Sequence, residues 1–251
     1  MADQAPPAPL LEGYRVLDLS NEKGHYCGRV LGDFGADVIK VEPPGGDLSR
    51  NIGPFYQDQA DPEKSIFWLF TNANKRGITL DLTKADGKEL FKQLVRSADF
   101  VIESSKPGYM ASLGLDYESL SAIKPDLVMT SITPFGQTGP HSEYEATDIV
   151  TVAMGGMMRL YGDLDRSPVR TSAPQADFLG GLHGAMGSMV AHYHRELTGE
   201  GQYVDVSAQQ AVVLALMITA EIWDLLQVNF RGTGPFVISP RKAPQPPVLG
   251  R

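Results

Sequence analysis

Residues 14–42 read YRVLDLSNEKGHYCGRVLGDFGADVIKVE, and they carry the clearest structural signal in the chain. Residues 14–19 predict a short strand, residues 25–34 fit a helix, and residues 38–42 predict a second strand that is largely apolar. Two prolines and two glycines at 43–46 end that second strand. A strand, a helix and a buried strand in this order predict a βαβ unit of a parallel sheet. No G-x-G-x-x-G motif follows the first strand, so the dinucleotide-binding version of this unit is not expected.

Strands and helices continue to alternate after this unit. Further strands are predicted at residues 78–82, 99–103, 126–133 and 203–206. Helices are predicted at about residues 84–97, 117–123, 146–159, 175–197 and 207–228. This alternation predicts an α/β fold with a doubly wound, mostly parallel, Rossmann-like sheet and right-handed crossovers.

The sequence divides into one large domain and two short end segments. Residues 11–230 hold the alternating elements and predict the large domain, whose length suits a single core. Residues 1–10 are rich in alanine and proline, lack the basic and apolar regions of a signal peptide, and predict a flexible tail. Residues 231–251 hold five prolines and predict a linker or a truncated end.

The composition argues against several classes of partner. The chain has 251 residues, a formal net charge of −8 and a pI near 5.1, which argue against nucleic acid and against an anionic membrane surface. Its longest largely apolar run, residues 211–220, is too short to span a bilayer. The single cysteine, Cys27, cannot form a disulfide within the chain, as expected for a cytoplasmic protein. An anionic small molecule stays compatible with this charge, because a local cationic pocket can exist on an acidic protein.

Asp177 begins an apolar, glycine-rich segment that reads DFLGGLHGAMG. Each glycine inside a helix costs about 1 kcal/mol relative to alanine. Four glycines in one helix therefore indicate close approach by another backbone or by a large ligand, which the Asp177 carboxylate would face. From spacing alone, the favoured alternative is an N-cap aspartate on a tightly packed helix.

Other polar side chains predict weaker sites. Lys75 and Arg76, in the segment NANKRG at 72–77, have the charge and the donors to hold a phosphate, although a solvated loop is the favoured interpretation of that segment alone. The five histidines show no spacing with cysteine or carboxylates that suits a metal, so no metal site is predicted. No G-x-S-x-G elbow is present, which argues against a hydrolase triad.

Segments spread over residues 11–230 together resemble the class III CoA-transferase family, the group that contains formyl-CoA transferase, the carnitine CoA-transferases and α-methylacyl-CoA racemase. The segments follow the same order as in the family, and their number makes the resemblance specific. They include VLDLS at 16–20, GDFGADVIKVEPPGGD at 32–47, NKRGITLDL at 74–82, ADFVIE at 98–103, LGLDYE at 113–118, FGQTGP at 135–140 and TGEGQ at 198–202.

The resemblance implies a fold, an activity and a site. It implies the large domain of a class III enzyme, with the small domain largely absent from this chain. It implies that Asp177 is the nucleophile that forms a covalent aspartyl intermediate while coenzyme A moves from an acyl-CoA to a small carboxylic acid. It also implies a homodimer, interlocked in full-length members, or a heteromer. Contacts to coenzyme A are implied for Asn21, Lys75, Arg76, Leu80, Ser104, Lys106, Gln137 and Gly139.

Departures from the family pattern leave two alternatives to CoA transfer. The racemase branch has a histidine acid/base where this chain has Thr147, which disfavours an acyl-CoA racemase or epimerase. Ser104, Ser105 and Ser112 stand where family members often place CoA-binding side chains, which keeps open a non-catalytic or truncated subunit of a heteromeric enzyme. Family members continue well beyond residue 251, so the chain is expected to be a fragment, a truncated reading frame or a half-subunit.

Overall fold

A computed structural model describes residues 8–163, 165–216 and 219–229. These residues form one six-stranded sheet in which all neighbouring strands pair in parallel, in the order β3-β2-β1-β4-β5-β6. The strands are β1 Arg15–Asp18, β2 Asp37–Glu42, β3 Lys75–Thr79, β4 Phe100–Glu103, β5 Val128–Thr133 and β6 Tyr203–Ser207. This strand order is that of the doubly wound Rossmann sheet, and it confirms the predicted fold class.

Helices connect the strands throughout the described part of the chain. They are α1 His25–Asp33, α2 Ile66–Thr71, α3 Ala85–Val95, α4 Tyr109–Leu113, α5 Tyr117–Ser121, α6 Asp148–Met154, α7 Gln175–Thr198, α8 Ala208–Ala215 and α9 Thr219–Leu226. Short 3-10 helices occupy Leu48–Asn51, Tyr56–Asp58 and Met157–Leu160. Within the described ranges, none of these helices is both long and apolar enough to cross a membrane.

Several element boundaries differ from the sequence prediction. Strand β3 begins at Lys75 instead of residue 78, because its register pairs Lys75 with Val38 of β2. The helix predicted at 207–228 is divided into α8 and α9, and residues 217 and 218 between them lie outside the described residues. Helix α2 was missed, although the Ser65 hydroxyl caps it by accepting the Trp68 N–H at 3.1 Å. The end segments predicted at 1–10 and 231–251 lie largely or wholly outside the described residues.

Both faces of the sheet are covered by helices. In β1, Val16 packs into a core cluster with Cys27 and Leu31 of α1, whereas the next residue, Leu17, packs into a second cluster with Phe91 of α3. Successive strand residues point to opposite faces, so the apolar run in β1 supplies two cores at once. Burial on both faces explains why the strands are continuous apolar runs instead of alternating ones.

The glycines of α7 let this helix lie directly against the rest of the chain. A Cβ atom at Gly181 would come within 2.8 Å of Tyr26 Cβ and 3.0 Å of the Cys27 nitrogen in α1, and one at Gly184 would meet the side chain of Ile132 in β5 at 2.6 Å. The close approach predicted from the glycines is confirmed. However, the space at Gly181 and Gly184 is filled by α1 and β5 of the same chain, and no large ligand is needed to explain it.

The chain reverses its direction of winding between β1 and β4, which are neighbours in the sheet. The first crossovers build outward from β1 to β3, and the later ones build outward from β4 to β6 in the other direction. The loops that follow β1 and β4 therefore separate and leave a crevice at the carboxyl edge of the sheet, which is where open α/β sheets bind ligands.

Candidate active site

Asp177 lies in the first turn of α7, after Pro174 at the N-cap position. No side chain of α7 caps this end of the helix, so the interpretation of Asp177 as an N-cap is wrong. The residue is only 9% exposed. A carboxylate in a first helical turn is favoured by the helix dipole. The fold therefore holds an acidic group at the positive end of a long helix and largely out of water.

A second carboxylate supports the start of α7. Asp148 is the first residue of α6, and its Oδ1 atom accepts a hydrogen bond of 2.7 Å from the backbone N–H of Ala176. Its Oδ2 atom is buried and has no hydrogen-bond partner among the described residues. Asp148 thus satisfies a free N–H of α7 from a different helix, as an N-cap would, and it brings a second negative charge close to Asp177.

The surroundings of Asp177 change its acidity. Burial raises the pKa of Asp177 to about 7, with a further contribution from the Asp148 charge, while the charge of Lys23 acts in the opposite direction. Burial also raises the pKa of Asp148. An ordinary aspartate is fully ionised at neutral pH, whereas Asp177 exchanges its proton there. Its ionised form has few water contacts, which makes a carboxylate more reactive towards a carbonyl carbon.

Asp177 opens onto a cavity of about 490 Å³. The aromatic rings of Phe70 and Phe178 line the cavity: they pack edge to face with ring centroids 5.9 Å apart, and the Tyr26 ring packs against Phe178 with centroids 5.2 Å apart. The segment before α7 and the start of α6 also line the cavity. Apolar walls with a few polar groups are typical of sites for small molecules.

A second cavity, of about 230 Å³, lies at the crevice between β1 and β4. Asn21 follows β1 and donates its backbone N–H to the Ser104 hydroxyl at 2.8 Å, and that hydroxyl donates to Asn21 Oδ1 at 2.8 Å. Lys106 lines the same cavity and forms an ion pair with Glu145. Three residues predicted to contact coenzyme A therefore meet at this edge. Lys23 lines both this cavity and the Asp177 cavity.

Gln137 and Gly139 lie in the loop after β5. Gln137 lines a third cavity, of about 270 Å³, which shares Lys106 with the cavity at the crevice. The backbone N–H of Gln137 donates to the Asp205 carboxylate, 3.0 Å from each oxygen. Gly139 has a φ of 97°, a left-handed conformation that glycine adopts without strain. The loop is thus anchored next to the crevice where Asn21 and Ser104 meet.

Lys75 is buried inside the protein, with a side chain that is 1% exposed. Its Nζ atom contacts Asp18 at 2.7 Å, the backbone oxygen of His25 at 2.8 Å and Asn72 Oδ1 at 2.9 Å. Burial alone would raise the pKa of Asp18, but the charges of Lys75 and Lys40 outweigh it and hold that pKa below its usual range. All three ammonium donors are used. Lys75 is therefore neither exposed in a solvated loop nor free to hold a phosphate.

Arg76 and Leu80 are also engaged within the fold. The Arg76 guanidinium binds both oxygens of Asp37, at 2.9 and 2.7 Å, at the amino end of β2. Leu80 donates its backbone N–H to the Glu42 oxygen at 2.8 Å and packs against the second core cluster. Ligands of open α/β sheets bind at the carboxyl edge of the strands, opposite to the pairing of Arg76 with Asp37, whereas Leu80 directly follows β3 and lies at that edge. Both predicted coenzyme A contacts stay predictions, and the ion pair of Arg76 with Asp37 lends the one at Arg76 no support.

Comparison with known proteins places the chain in a family. The model of CoA-transferase family III matches residues 11–235, most of the chain. The chain belongs to CoA-transferase family III. It is 41% identical to succinyl-CoA:(R)-benzylsuccinate CoA-transferase subunit BbsE of Thauera aromatica, over 88% of this chain and 54% of that protein. It is 40% identical to succinate–glutarate CoA-transferase of Agrobacterium fabrum, over 86% of this chain and 55% of that protein.

Solved structures give the same relationship. A CAIB/BAIF family protein from Brucella suis superposes on this family III chain with a TM-score of 0.84 and 36% identity, over 90% of this chain and 60% of that one. The resemblance inferred from sequence segments is thereby confirmed. The chain spans about half the length of the curated relatives that it matches.

Three residues of this candidate site were not singled out as site residues from the sequence. Lys23 and Arg170 line the Asp177 cavity, and Asp148 accepts a hydrogen bond from the backbone at the N-terminus of α7. Lys23 had a usable signal, because it lies two residues after Asn21 in the polar loop after β1, at the carboxyl edge of the sheet. Asp148 reaches Asp177 only through the packing of α6 against α7, and Arg170 lies in the irregular segment before α7, so neither position had such a signal.

Proposed function

We propose that this chain transfers coenzyme A from an acyl-CoA thioester to a carboxylic acid, with Asp177 as the covalent nucleophile. The observation that carries the proposal is the buried Asp177 carboxylate at the wall of the 490 Å³ cavity, with a pKa raised to about 7. Such a group is ionised often enough at neutral pH to attack, and it is poorly solvated when it does.

The reaction proceeds through two kinds of intermediate on Asp177. The carboxylate attacks the thioester carbonyl and expels the CoA thiolate, which leaves a mixed aspartyl–acyl anhydride. The thiolate then attacks the aspartyl carbonyl, forms an aspartyl-CoA thioester and releases the donor acid. The acceptor carboxylate repeats these steps in reverse order. It displaces the thiolate to form a second anhydride, and the thiolate takes the new acyl group and frees Asp177.

The two adjoining cavities suit the two ends of coenzyme A. The nucleotide end would lie at the crevice with Asn21, Ser104 and Lys106, beside the loop of Gln137 and Gly139. The pantetheine arm would pass Lys23, which lines both cavities, and bring the thioester to Asp177. The position of this crevice at the reversal of winding in the sheet supports the assignment.

Thr147 supports transfer over racemisation. It stands at the N-cap position of α6 and lines the Asp177 cavity. A threonine hydroxyl does not titrate near neutral pH, whereas racemisation needs two groups that exchange a proton with the α-carbon. For racemisation, Asp177 would need a second acid/base other than residue 147.

The working enzyme would contain more than this chain alone. The match covers 54% and 55% of two relatives, and one of these is named as a subunit. We propose a homodimer or a heteromer in the cytoplasm, with succinyl-CoA as the first donor to test because both relatives carry succinyl-CoA or succinate in their names.

Trapping on Asp177 tests the proposal. The protein is incubated with succinyl-CoA and then with hydroxylamine, which converts an activated aspartyl carbonyl to a hydroxamate, and the peptides are mapped by mass spectrometry. We expect a hydroxamate on Asp177 that is absent without succinyl-CoA and absent in Asp177→Asn. Transfer of coenzyme A to an acceptor acid by Asp177→Asn would refute the covalent role.

The pH dependence of this trapping is a second prediction. The ionised carboxylate is the attacking form, so the rate of acylation rises with pH through about 7. Asp148→Asn removes a neighbouring negative charge but keeps an oxygen to accept the Ala176 N–H, so the midpoint should move to lower pH. Rapid-quench acylation rates between pH 5 and pH 9 measure this midpoint in both proteins. An unchanged midpoint in Asp148→Asn would contradict the charge coupling.

A further inference from the structure

The Asp177 cavity contains two cations in different surroundings. Lys23 forms an ion pair of 2.8 Å with Glu22, and both residues line the cavity. Arg170 also lines the cavity and is exposed, and its guanidinium has no hydrogen-bond or ion-pair partner among the described residues. Of these two cations, Arg170 is the one available to a ligand.

Arg170 is close to the proposed reacting group. It lies in the segment that leads into α7, and Ser172, Ala173 and Pro174 of the same segment also line the cavity. Its charge counteracts the burial that raises the pKa of Asp177 and of Asp148, which places it within electrostatic range of both carboxylates. An anion held by Arg170 would share the cavity with an acyl group at Asp177.

The walls of the cavity suit a short carbon chain. Apolar surface comes from Ile52, Ile66, Phe67 and Phe70, and few of the residues that line the cavity are charged. A guanidinium binds a carboxylate through two parallel hydrogen bonds, a geometry that a lysine cannot reproduce. A monocarboxylic acyl group would leave this guanidinium without an anionic partner.

We infer that Arg170 binds the distal carboxylate of a dicarboxylic acyl group, so that the site takes short dicarboxylic acids in preference to monocarboxylic acids of the same length. The inference rests on the proposed function for the place of the thioester, and it adds a residue that selects the substrate. Two other roles for Arg170 give different results in the test below: a contact to a phosphate of coenzyme A, and an electrostatic effect on Asp177 alone.

A binding experiment separates the inference from the covalent chemistry. The full chain with Asp177→Asn keeps the shape of that side chain without its charge, and it cannot form an aspartyl intermediate. Isothermal titration calorimetry compares succinate with butyrate, which has the same number of carbons and one carboxylate fewer. We expect succinate to bind at least about tenfold more tightly than butyrate. We expect Arg170→Gln in the same background to remove that preference, and Arg170→Lys to restore part of it.

A matched control lies on the same segment. Arg166 is exposed and pairs with Asp163 at 3.8 Å, so Arg166→Gln removes the same charge from the same stretch and should leave the preference unchanged. The inference is overturned if succinate and butyrate bind equally well, if Arg170→Gln keeps the preference, or if Arg166→Gln removes it too. It is also overturned if Arg170→Gln weakens the binding of coenzyme A about tenfold and leaves the preference intact.

The two proposals fail in different ways. If succinyl-CoA leaves no mark on Asp177 but the preference for succinate depends on Arg170, the covalent mechanism is wrong and the dicarboxylate site stands. If succinyl-CoA and butyryl-CoA label Asp177 equally well, with or without Arg170, the mechanism stands and the selecting role of Arg170 is wrong.

Discussion

At the scale of single residues, Asp177 and Lys75 show opposite consequences of burying a charge. Asp177 is buried next to another carboxylate, so its ionised form is disfavoured and its proton exchanges near neutral pH. Lys75 is buried against Asp18, and the two opposite charges compensate each other. The first arrangement costs stability and creates a reactive group, whereas the second holds β3, β1 and α1 together.

Because ionising the buried Asp177 side chain costs free energy, Asp177→Asn is expected to stabilise the protein to an extent that depends on pH. The pKa of Asp177 is raised above its unfolded value, so its contribution to the free energy of unfolding is fully present below about pH 4 and is lost as the pH rises to about 7. Asparagine does not titrate. We expect the substitution to raise the free energy of unfolding on the order of 3 kcal/mol at pH 8 and clearly less at pH 5. Urea denaturation at both pH values measures this, and an equal effect at the two would contradict it.

The buried ion pair of Lys75 and Asp18 predicts that Lys75→Met destabilises the protein more than a charge-removing substitution at the neighbouring Arg76. Removing one partner leaves Asp18 without its closest counter-charge, so we expect a loss of about 3–5 kcal/mol in the free energy of unfolding. Arg76→Gln is the control, because the exposed pair of Arg76 and Asp37 contributes less than about 1 kcal/mol. Urea titrations of the two variants compare them. Similar losses of unfolding free energy in both variants would contradict the buried ion pair of Lys75 with Asp18.

At the scale of elements, α7 is the helix on which the site depends. Its glycines bring it against α1 and β5, and this contact fixes where its N-terminus and Asp177 lie. Asp148 of α6 then satisfies the backbone at that end. The close packing of α7 stabilises the fold and compensates for the low helix propensity of its glycines.

The packing of α7 predicts an order of destabilisation among its glycines. Gly181→Ala places a methyl group against the Tyr26 Cβ and the Cys27 backbone nitrogen, so α1 has to move, and a loss of about 2 kcal/mol or more is expected. Gly187→Ala meets a methyl group of Val204 at 2.7 Å and no backbone atom of a neighbouring element within 4 Å, and should cost less. Thermal denaturation ranks the two. A larger loss for Gly187→Ala would contradict the close contact at Gly181.

At the scale of the whole molecule, the outer face of α7 is incompletely covered by the described residues. Leu182, Met186, Val190, Tyr193 and Leu197 recur at helical spacing along it, and each is between 47% and 69% exposed. Apolar patches of this kind are typical of protein–protein contact sites.

The exposed apolar face of α7 predicts that the chain self-associates, and that a single charge placed on this face weakens the association. If a second copy of the chain covers the α7 stripe, Val190→Glu buries a carboxylate in the contact and should lower the dimer affinity about tenfold or more. Light scattering with size-exclusion chromatography over a range of concentrations measures the mass. Glu196→Gln, on the same helix outside the stripe, is the control. A wild-type chain that stays monomeric, or a Val190→Glu variant that dimerises equally well, would contradict the prediction.

The sequence by itself determined the order of the strands, the fold class and the family, because periodicity, turn residues and short motifs are properties of neighbouring residues. Asp177 could be selected on the same basis. The sequence did not determine the environment of that residue. Only the tertiary structure brought Asp148 and Arg170 to Asp177, placed Lys23 between the two cavities and buried Lys75 against Asp18. The electrostatic partners of a residue depend on which elements pack together in the fold, and local sequence patterns do not show that packing.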